Sequence, residues 1–516
     1  MLGERQWWTS PGLWVVIALA TTIPFFVANI PPLTDLPNHT ARYYVFLNID
    51  RSPFLQANYE VHWRLIGNLG TDIIVRVIGP LLGAEFATRI AVGIIPPLTV
   101  AGIYSVSRAL NGKVTPSALL AVPLVYNWPF YTGFSNFTLS GAMALLVLAF
   151  WVRLRDLGFL ARILIFTPLS FATWVAHTAG WGLLGLAVFG FELARAYQLR
   201  GLNLRSLLGA ALSTFPFALM ILFTLLWRSG TSMGVGALFA SDILSSKFAS
   251  LASIFREEYV LWDVACMVLF FALIIAMYLA GGKRVVATAG VIAILYALAF
   301  AICPEILFGS SFADRRLLPF AAMFVPLSVG VADQVLANEQ RRRILSLVAI
   351  GAMALFAARL AVTTTVWEKS DHSLDKHLVL LQQIPRQSRV FGLVVNPCDK
   401  SWSRAGRPDS LQQFALIRRE SVINGFFQAS GLNQVHVRYD YQDDVFDQNM
   451  PATVHSEVCP VPYELETLQS AITGFPRDKF DYVWLLALNP LPTFDERGLR
   501  LIGSNGNDRL YQIERP

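Results

Sequence analysis

The chain has 516 residues, of which 54% are hydrophobic and only 15% are charged. Soluble domains carry about 25% charged residues, so this composition excludes an ordinary soluble enzyme. The 36 Phe, 13 Trp and 15 Tyr residues also exclude a disordered chain, because they leave much apolar surface to bury. Residues 1–369 carry 26 Lys and Arg against 17 Asp and Glu, and residues 370–516 carry 15 against 18. A positive excess confined to the apolar part indicates membrane topology rather than nucleic-acid binding.

The amino-terminal part begins with an apolar run at residues 13–30, which is long for a signal peptide and predicts an uncleaved anchor. Residues 31–87 form a long outer loop, and loops of that length usually carry function. Within it, residues 65–82 place Asp72 and Arg76 one turn apart, which predicts an amphipathic helix on the membrane surface. Further spans are predicted at 88–109, 117–132, 137–152, 161–176, 178–194, 206–227, 259–280, 285–303, 317–334 and 344–362.

Basic residues cluster in alternate loops between these spans, as in Arg153/Arg155 and Lys283/Arg284. One membrane face therefore collects the positive charge, which is typical of a cytoplasmic face. The sequence predicts an α-helical polytopic membrane protein with about eleven transmembrane helices in a bacterial cytoplasmic (inner) membrane. The amino terminus is expected in the cytoplasm and the carboxyl terminus in the periplasm.

The polar tail predicts a small extracytoplasmic α/β domain at 363–516, which follows the membrane domain at 1–362. Helical periodicity at 373–384 precedes buried strands at 388–395 and 480–488 and a terminal hairpin at 499–515. Cys398 and Cys459 lie in this tail, and we expect a disulfide between them in an oxidising compartment.

The densest group of chemically useful side chains directly follows the first span: Asp35, Asn38, His39 and Arg42. A carboxylate at the outer mouth of a membrane helix can deprotonate an incoming hydroxyl group. Asp35 and His39 are also candidate ligands for a divalent cation. The alternative is an ordinary polar loop in which Asp35 caps a short helix that begins near Pro37.

A second group in the same loop contains Glu60, His62 and Arg64. On a strand, Glu60 and His62 would face the same way, as an acid/base pair or metal ligands do. Their neighbours Tyr59 and Trp63 are typical of a membrane interface, so an aromatic belt is the alternative interpretation.

Two further candidates lie at the predicted outer ends of spans. Arg315 and Arg316 are suited to phosphate because a guanidinium can donate two parallel hydrogen bonds; snorkelling or a salt bridge to Asp314 is the alternative. His177 lies between two apolar runs, where an ionisable group is costly and is either functional or the cap of a helix hairpin. The sequence contains no Walker A, G-x-S-x-G, H-E-x-x-H or G-x-G-x-x-G motif, so no nucleotide cofactor is expected.

Three features together resemble the GT-C superfamily of integral-membrane glycosyltransferases, which includes protein O-mannosyltransferases and aminoarabinose transferases. They are the large first outer loop opening with Asp35, the GAEFATR turn at 83–89 and the arginine pair 315–316. The resemblance implies an inverting transferase that takes a sugar from a polyprenyl-phosphate donor. It also implies that Asp35 acts as catalytic base or metal ligand, with His39 beside it, and that Arg315 and Arg316 hold the donor phosphate.

The partners expected are the lipid-linked donor, a glycan, lipid or protein acceptor and membrane lipid, without nucleic acid. The remaining substrate-binding candidates are Asn38, Arg42, Glu60, His62, Arg64 and His177. A transporter or lipid flippase is the main alternative, but it would need polar residues near the midplane and often two related halves. The other alternative is a non-catalytic envelope assembly protein. An Asp35 substitution that leaves function intact would favour it.

Overall fold

The computed structural model describes residues 6–229, 236–307, 310–396, 402, 408–427, 433–438, 452–455 and 467–515. The chain divides into two compact units. The first, here the helical unit, comprises Met1–Pro24, Leu65–Thr71 and Val92–Thr364. The second, here the sheet unit, comprises Phe25–Arg64, Asp72–Ala91 and Thr365–Pro516. Cys398 and Cys459 lie outside the described residues, so their disulfide stays a prediction.

Long apolar helices dominate the described part of the chain. Six are long and apolar enough to cross a membrane: Ala84–Asn111, Ser135–Arg153, Phe159–Ala176, Thr178–Arg200, Val260–Ala280 and Glu339–Gln383. A seventh span results if the pair Leu204–Ser213 and Phe215–Trp227, bent by 66°, is counted as one. The expectation of a polytopic helical protein is therefore confirmed.

Several other predicted spans are shorter than expected. The apolar helices at these places are Pro11–Val27, Ala287–Ile302 and Leu318–Leu327, and Ile243–Ala252 is a further short one. Prolines account for part of the shortening, because Pro24 begins a new helical segment and Pro326 lies in the last turn of its helix. Small antiparallel pairs join Ala237–Leu238 to Ile306–Leu307 and Arg284–Val285 to Val329–Gly330.

The predicted span at 117–132 is wrong. Residues Pro116–Leu124 form a 3₁₀-helix of nine residues, all of them buried, and a four-residue helix follows at Trp128–Tyr131. Pro116, Pro123 and Pro129 each lack a backbone N–H, so an uninterrupted α-helix is disfavoured here. Apolar composition predicted the burial of this segment but not its shape.

An ion cluster is buried in the helical unit. Arg359 lies 3.6 Å from both Asp263 and Glu257, and all three side chains are almost fully buried. One guanidinium faces two carboxylates, and a charge in such a place is tolerated only when it is paired.

The sheet unit contains the predicted strands and hairpin. Its six-stranded sheet runs in the order Leu499–Asn505, Asp508–Ile513, Tyr482–Ala487, Arg389–Asn396 and Val422–Ile423, and Thr453–His455 also pairs with Arg389–Asn396. The central strands are parallel and the terminal hairpin is antiparallel. The helix predicted at 373–384 is the end of Glu339–Leu378 followed by a 3₁₀-helix at Val379–Gln383.

The predicted outer loop is largely helical. Its helices are Leu36–Asn48, Pro53–Asn58, Gly70–Leu82 and Ala84–Gly93, and the strand Tyr59–Val61 pairs with Val435–Val437. The predicted turn at 83–89 is wrong after its first residue, because Gly83, at φ 76°, makes the break and a helix begins at Ala84. The unit also contains the helices Phe414–Arg419 and Leu468–Gly474.

Candidate active site

Asp35 lies at the amino-terminal end of the helix Leu36–Asn48. Its backbone carbonyl accepts a hydrogen bond from the His39 amide at 3.1 Å, whereas its half-buried carboxylate makes no capping bond to the helix. Pro37 occupies the first turn, where a missing N–H costs nothing. A carboxylate at this end lies in the favourable field of the helix dipole, which suits an ionised base. In the same turn, Asn38 Nδ2 donates to Ser410 Oγ at 2.8 Å.

Arg42 is the centre of a buried polar network on the same helix. Its Nη1 donates to Asn433 Oδ1 at 2.9 Å and lies 3.4 Å from Asp72 Oδ1. Its Nη2 lies 2.8 Å from His39 Nδ1. Only 1% of Arg42 is exposed, so the structure places this predicted substrate-binding residue in the interior. Sequence reasoning found His39 and Arg42 but missed Asn433 and paired Asp72 with Arg76 alone.

The same network does not fit the metal site proposed for Asp35 and His39. A guanidinium has only donors, so His39 Nδ1 accepts from Arg42 and the proton of the neutral ring is on Nε2. Neither ring nitrogen then has a lone pair to offer, and a positive charge stands beside the ring. In the described part of the chain, no group of three or more His, Cys, Asp and Glu side chains could hold a metal ion.

The strand Tyr59–Val61 brings the second predicted group together. Glu60 Oε2 lies 3.2 Å from His62 Nε2, so these side chains share a face as expected. Glu60 stands opposite His436 in the strand pairing, and the His62 and His436 rings lie 6.5 Å apart. Burial lowers the pKa of His436 below its ordinary value, although the charge of Glu60 opposes this shift. Arg64 is exposed and lies three residues beyond the end of this strand.

His177 and Arg316 meet in the helical unit. His177 caps the helix Thr178–Arg200, because its Nδ1 accepts from the Ala179 amide at 3.0 Å. Its Nε2 lies 3.3 Å from Arg316 Nη1, and Arg316 Nη2 donates to the Ser311 carbonyl at 3.0 Å. The Arg316 guanidinium also lies over the Phe134 ring, 4.1 Å from its centroid. A guanidinium only donates, so the approach of Arg316 to Nε2 is a contact and not a hydrogen bond while Nδ1 of the neutral ring accepts the capping bond.

Arg315 is held in a comparable way. Its guanidinium lies 4.9 Å from the Phe312 centroid and 5.6 Å from that of Trp128, and its Nη2 lies 3.6 Å from Glu305 Oε1. The neighbouring Asp314 is paired with Lys247, whose Nζ lies 2.7 Å from its Oδ2. Sequence reasoning missed Lys247, which lies in the short helix Ile243–Ala252 between two predicted spans.

Close packing positions the His177 turn. The Thr178 amide donates to the Gly67 carbonyl at 2.9 Å, and the Leu69 amide donates to the Val175 carbonyl at 2.8 Å. A Cβ on Gly67 would clash with Thr178 and lie 3.2 Å from the Trp174 carbonyl oxygen. Only glycine allows this approach, so the segment Leu65–Thr71 is fitted to the turn that carries His177.

Comparison with known proteins identifies a similar fold. No protein-family model matches the chain, and no curated protein matches it in sequence. Among solved structures, that of ArnT from Cupriavidus metallidurans in the apo state is similar, with a TM-score of 0.52 and 12% identity over 97% of each chain. ArnT is an aminoarabinose transferase with a GT-C fold. The likeness confirms the predicted GT-C-like architecture with a sheet-containing carboxyl-terminal part.

Proposed function

We propose that this chain is an inverting membrane glycosyltransferase. It moves a sugar from a polyprenyl-phosphate donor to a glycan, lipid or protein acceptor on the outer face of a bacterial inner membrane. The likeness to ArnT across almost the whole of both chains supports a transferase of this kind. The observation that carries the phosphate chemistry is the adjacent pair Arg315 and Arg316, each held over aromatic rings.

The arginine pair would stabilise the departing phosphate. When the bond between the sugar and the donor phosphate breaks, a phosphodiester becomes a monoester and gains one negative charge. A guanidinium donates parallel hydrogen bonds to such a group and needs little rearrangement when packing already fixes it. Arg316 is only 7% exposed and contacts both His177 and Phe134, so its orientation is fixed before a donor binds.

Asp35 would act as the base. As the acceptor oxygen attacks the anomeric carbon opposite the phosphate, its proton passes to the Asp35 carboxylate and the anomeric configuration inverts. The buried His39 and Arg42 would position the helix that begins beside Asp35. The half-exposed Glu60 and His62, together with Arg64, would contact the acceptor or the sugar. No step in this mechanism uses a metal ion.

A complementation experiment tests these roles. A deletion strain of the source organism would receive wild type, Asp35→Asn or Arg316→Met, with lipid-linked sugars and envelope glycans profiled by mass spectrometry. Because loss of a catalytic base usually costs a factor of about 100 or more, we expect both variants to resemble the deletion. The matched controls are Asp50→Asn and Arg343→Met, which remove the same charges at exposed positions.

Membrane levels of all variants must be equal. If Asp35→Asn restores the wild-type profile, Asp35 is not the base. If no lipid-linked sugar changes even in the deletion strain, the transporter or assembly interpretation replaces the transferase.

A further inference from the structure

A polar cavity lies in the helical unit, at the opposite end of the helices that begin beside Arg316 and His177. The helix Ser135–Arg153 starts next to Phe134, and the helix Thr178–Arg200 starts next to His177. Their far ends contribute Val152 and Arg195 to the wall of a cavity of about 650 Å³, and Arg155, two residues beyond the first helix, also contributes. The proposed transferase chemistry does not use this cavity.

The lining of the cavity is basic. Lys113, Arg155, Arg195 and Arg284 contribute to its wall, and none of the described lining residues is acidic. Two described carboxylates partly offset these charges. Asp156, which is highly exposed, lies 3.6 Å from Arg155 and 3.9 Å from Arg195, and Glu192 is shared by Arg195 at 3.7 Å and Arg162 at 2.9 Å. The cavity therefore favours an anion.

The position of the cavity matches the depth of lipid headgroups. A helix of 19 residues, as in Ser135–Arg153, is about 28 Å long, close to the thickness of the hydrocarbon core. This helix is long and apolar enough to cross a membrane, so its two ends are expected near opposite surfaces. Trp8 forms part of the cavity wall, and tryptophan is typical of the membrane–water interface. Thr288 adds a hydroxyl group that can donate to a phosphate oxygen.

We propose that this cavity binds the phosphate group of an anionic membrane phospholipid. Basic pockets between membrane helices on the cytoplasmic side suit such headgroups, because each Lys or Arg near the surface adds attraction to the anionic leaflet. The lipid would contact the ends of both helices and so hold together the face opposite the arginine pair. The inference is independent of the transferase proposal, since it concerns other residues and another ligand.

The test uses the full-length protein purified in detergent and reconstituted in phosphatidylcholine nanodiscs with increasing phosphatidylglycerol. Native mass spectrometry counts bound lipid, and thermal unfolding reports stabilisation. Arg155→Gln/Arg284→Gln is the test variant. The control Arg200→Gln/Arg205→Gln removes the same charge from nearby exposed positions outside the lining. We expect phosphatidylglycerol to raise the Tm of wild type and control, and to bind the test variant about tenfold more weakly.

Other outcomes overturn the proposal. If wild type and test variant bind phosphatidylglycerol equally, the attraction is not specific to the cavity. If millimolar inorganic phosphate reproduces the rise in Tm without anionic lipid, the site takes a soluble anion instead. If the double variant unfolds in phosphatidylcholine alone, the single variant Arg284→Gln replaces it in the same binding experiment. Its side chain is exposed, and we expect about threefold weaker binding; unchanged binding would contradict the proposal.

Discussion

Arg42 places a full positive charge in the interior of the sheet unit. Asp72 is its buried counter-charge, and Asn433 and His39 accept hydrogen bonds from its two Nη atoms. A buried ion pair adds little net stability over apolar side chains, but removal of one partner leaves the other uncompensated. This asymmetry distinguishes a structural role for Arg42 from contact with substrate.

We expect Arg42→Met to destabilise the protein by about 3–5 kcal/mol, because it leaves the Asp72 carboxylate buried without its counter-charge. The measurement is chemical or thermal unfolding of the full-length protein in detergent. Arg42→Met/Asp72→Asn should recover much of the loss. Normal stability of Arg42→Met together with abolished transfer would contradict the structural role and place Arg42 at the substrate.

Sequence could predict this network only within one helix. His39 and Arg42 are three residues apart, so helical geometry brings them together once Leu36–Asn48 is recognised as a helix. Asn433 is 391 positions from Arg42 in sequence, and no local pattern connects them. The sequence was therefore enough to identify the candidate residues near Asp35. Only the structure showed that Arg42 lies in the interior while Asp35 is half-buried.

At the level of elements, the helices Ser135–Arg153 and Thr178–Arg200 approach closely at Gly180. A Cβ there would lie 2.9 Å from the backbone carbonyl carbon of Ser140, which no side-chain rotation can relieve. We expect Gly180→Ala to destabilise the protein by about 1–3 kcal/mol through overpacking. Gly182→Ala on the same helix meets nothing within 4 Å and should be neutral or slightly stabilising. Equal Tm values for the two variants in detergent would refute this packing.

Asp481 forms ion pairs in the sheet unit and directly precedes the strand Tyr482–Ala487. On the neighbouring strand, Arg389 Nη2 donates a hydrogen bond to Asp481 Oδ1 at 2.9 Å. Arg515 Nη2 donates to the same oxygen at 2.6 Å. Burial alone would raise the pKa of Asp481, but the hydrogen bonds and charge of Arg389, together with the charge of Arg515, lower it below its ordinary value. The ionised form therefore stabilises the fold.

The lowered pKa of Asp481 makes the stability of the fold depend on pH. A lowered folded-state pKa contributes stability above the unfolded-state pKa, near 4 by the usual value for Asp, and loses it as pH falls through the folded-state pKa. We expect wild type to exceed Asp481→Asn in stability above about pH 5, with the difference shrinking toward pH 3. Unfolding of both full-length proteins across this range measures it. A difference independent of pH would argue against the ion pairs.

Periodicity and hydropathy predicted the type of secondary structure correctly where a helix or strand runs without interruption. The strands near 389–396 and 482–487, the terminal hairpin and the spans 135–153 and 178–200 agree with expectation. The same two signals gave a wrong prediction at 117–132, where prolines interrupt the α-helix. Apolar composition predicts that a segment is buried, but not which backbone conformation it adopts. Within the loop 31–87, the helix predicted at 65–82 is present as Gly70–Leu82, whereas Leu36–Asn48 was only an alternative and Pro53–Asn58 was not predicted.

At the scale of the whole molecule, hydropathy and the positive-charge asymmetry predicted a polytopic membrane protein, and the resemblance to the GT-C superfamily added the expectation of a GT-C-like architecture. They could not show that residues 25–64 and 72–91 form a compact unit with the carboxyl-terminal part, because such grouping depends on long-range contacts. The result assigns the two proposed roles to different units, with Asp35 in the sheet unit and Arg315 and Arg316 in the helical unit.

The most direct test of the central claim is the polyprenyl-phosphate sugar content of a deletion strain, compared by mass spectrometry with the parent and a wild-type-complemented strain. A glycosyltransferase consumes a lipid-linked sugar, so its loss should accumulate one such donor while one envelope product disappears, and complementation should reverse both changes. An unchanged set of lipid-linked sugars, with every candidate product still made, would contradict the transferase account.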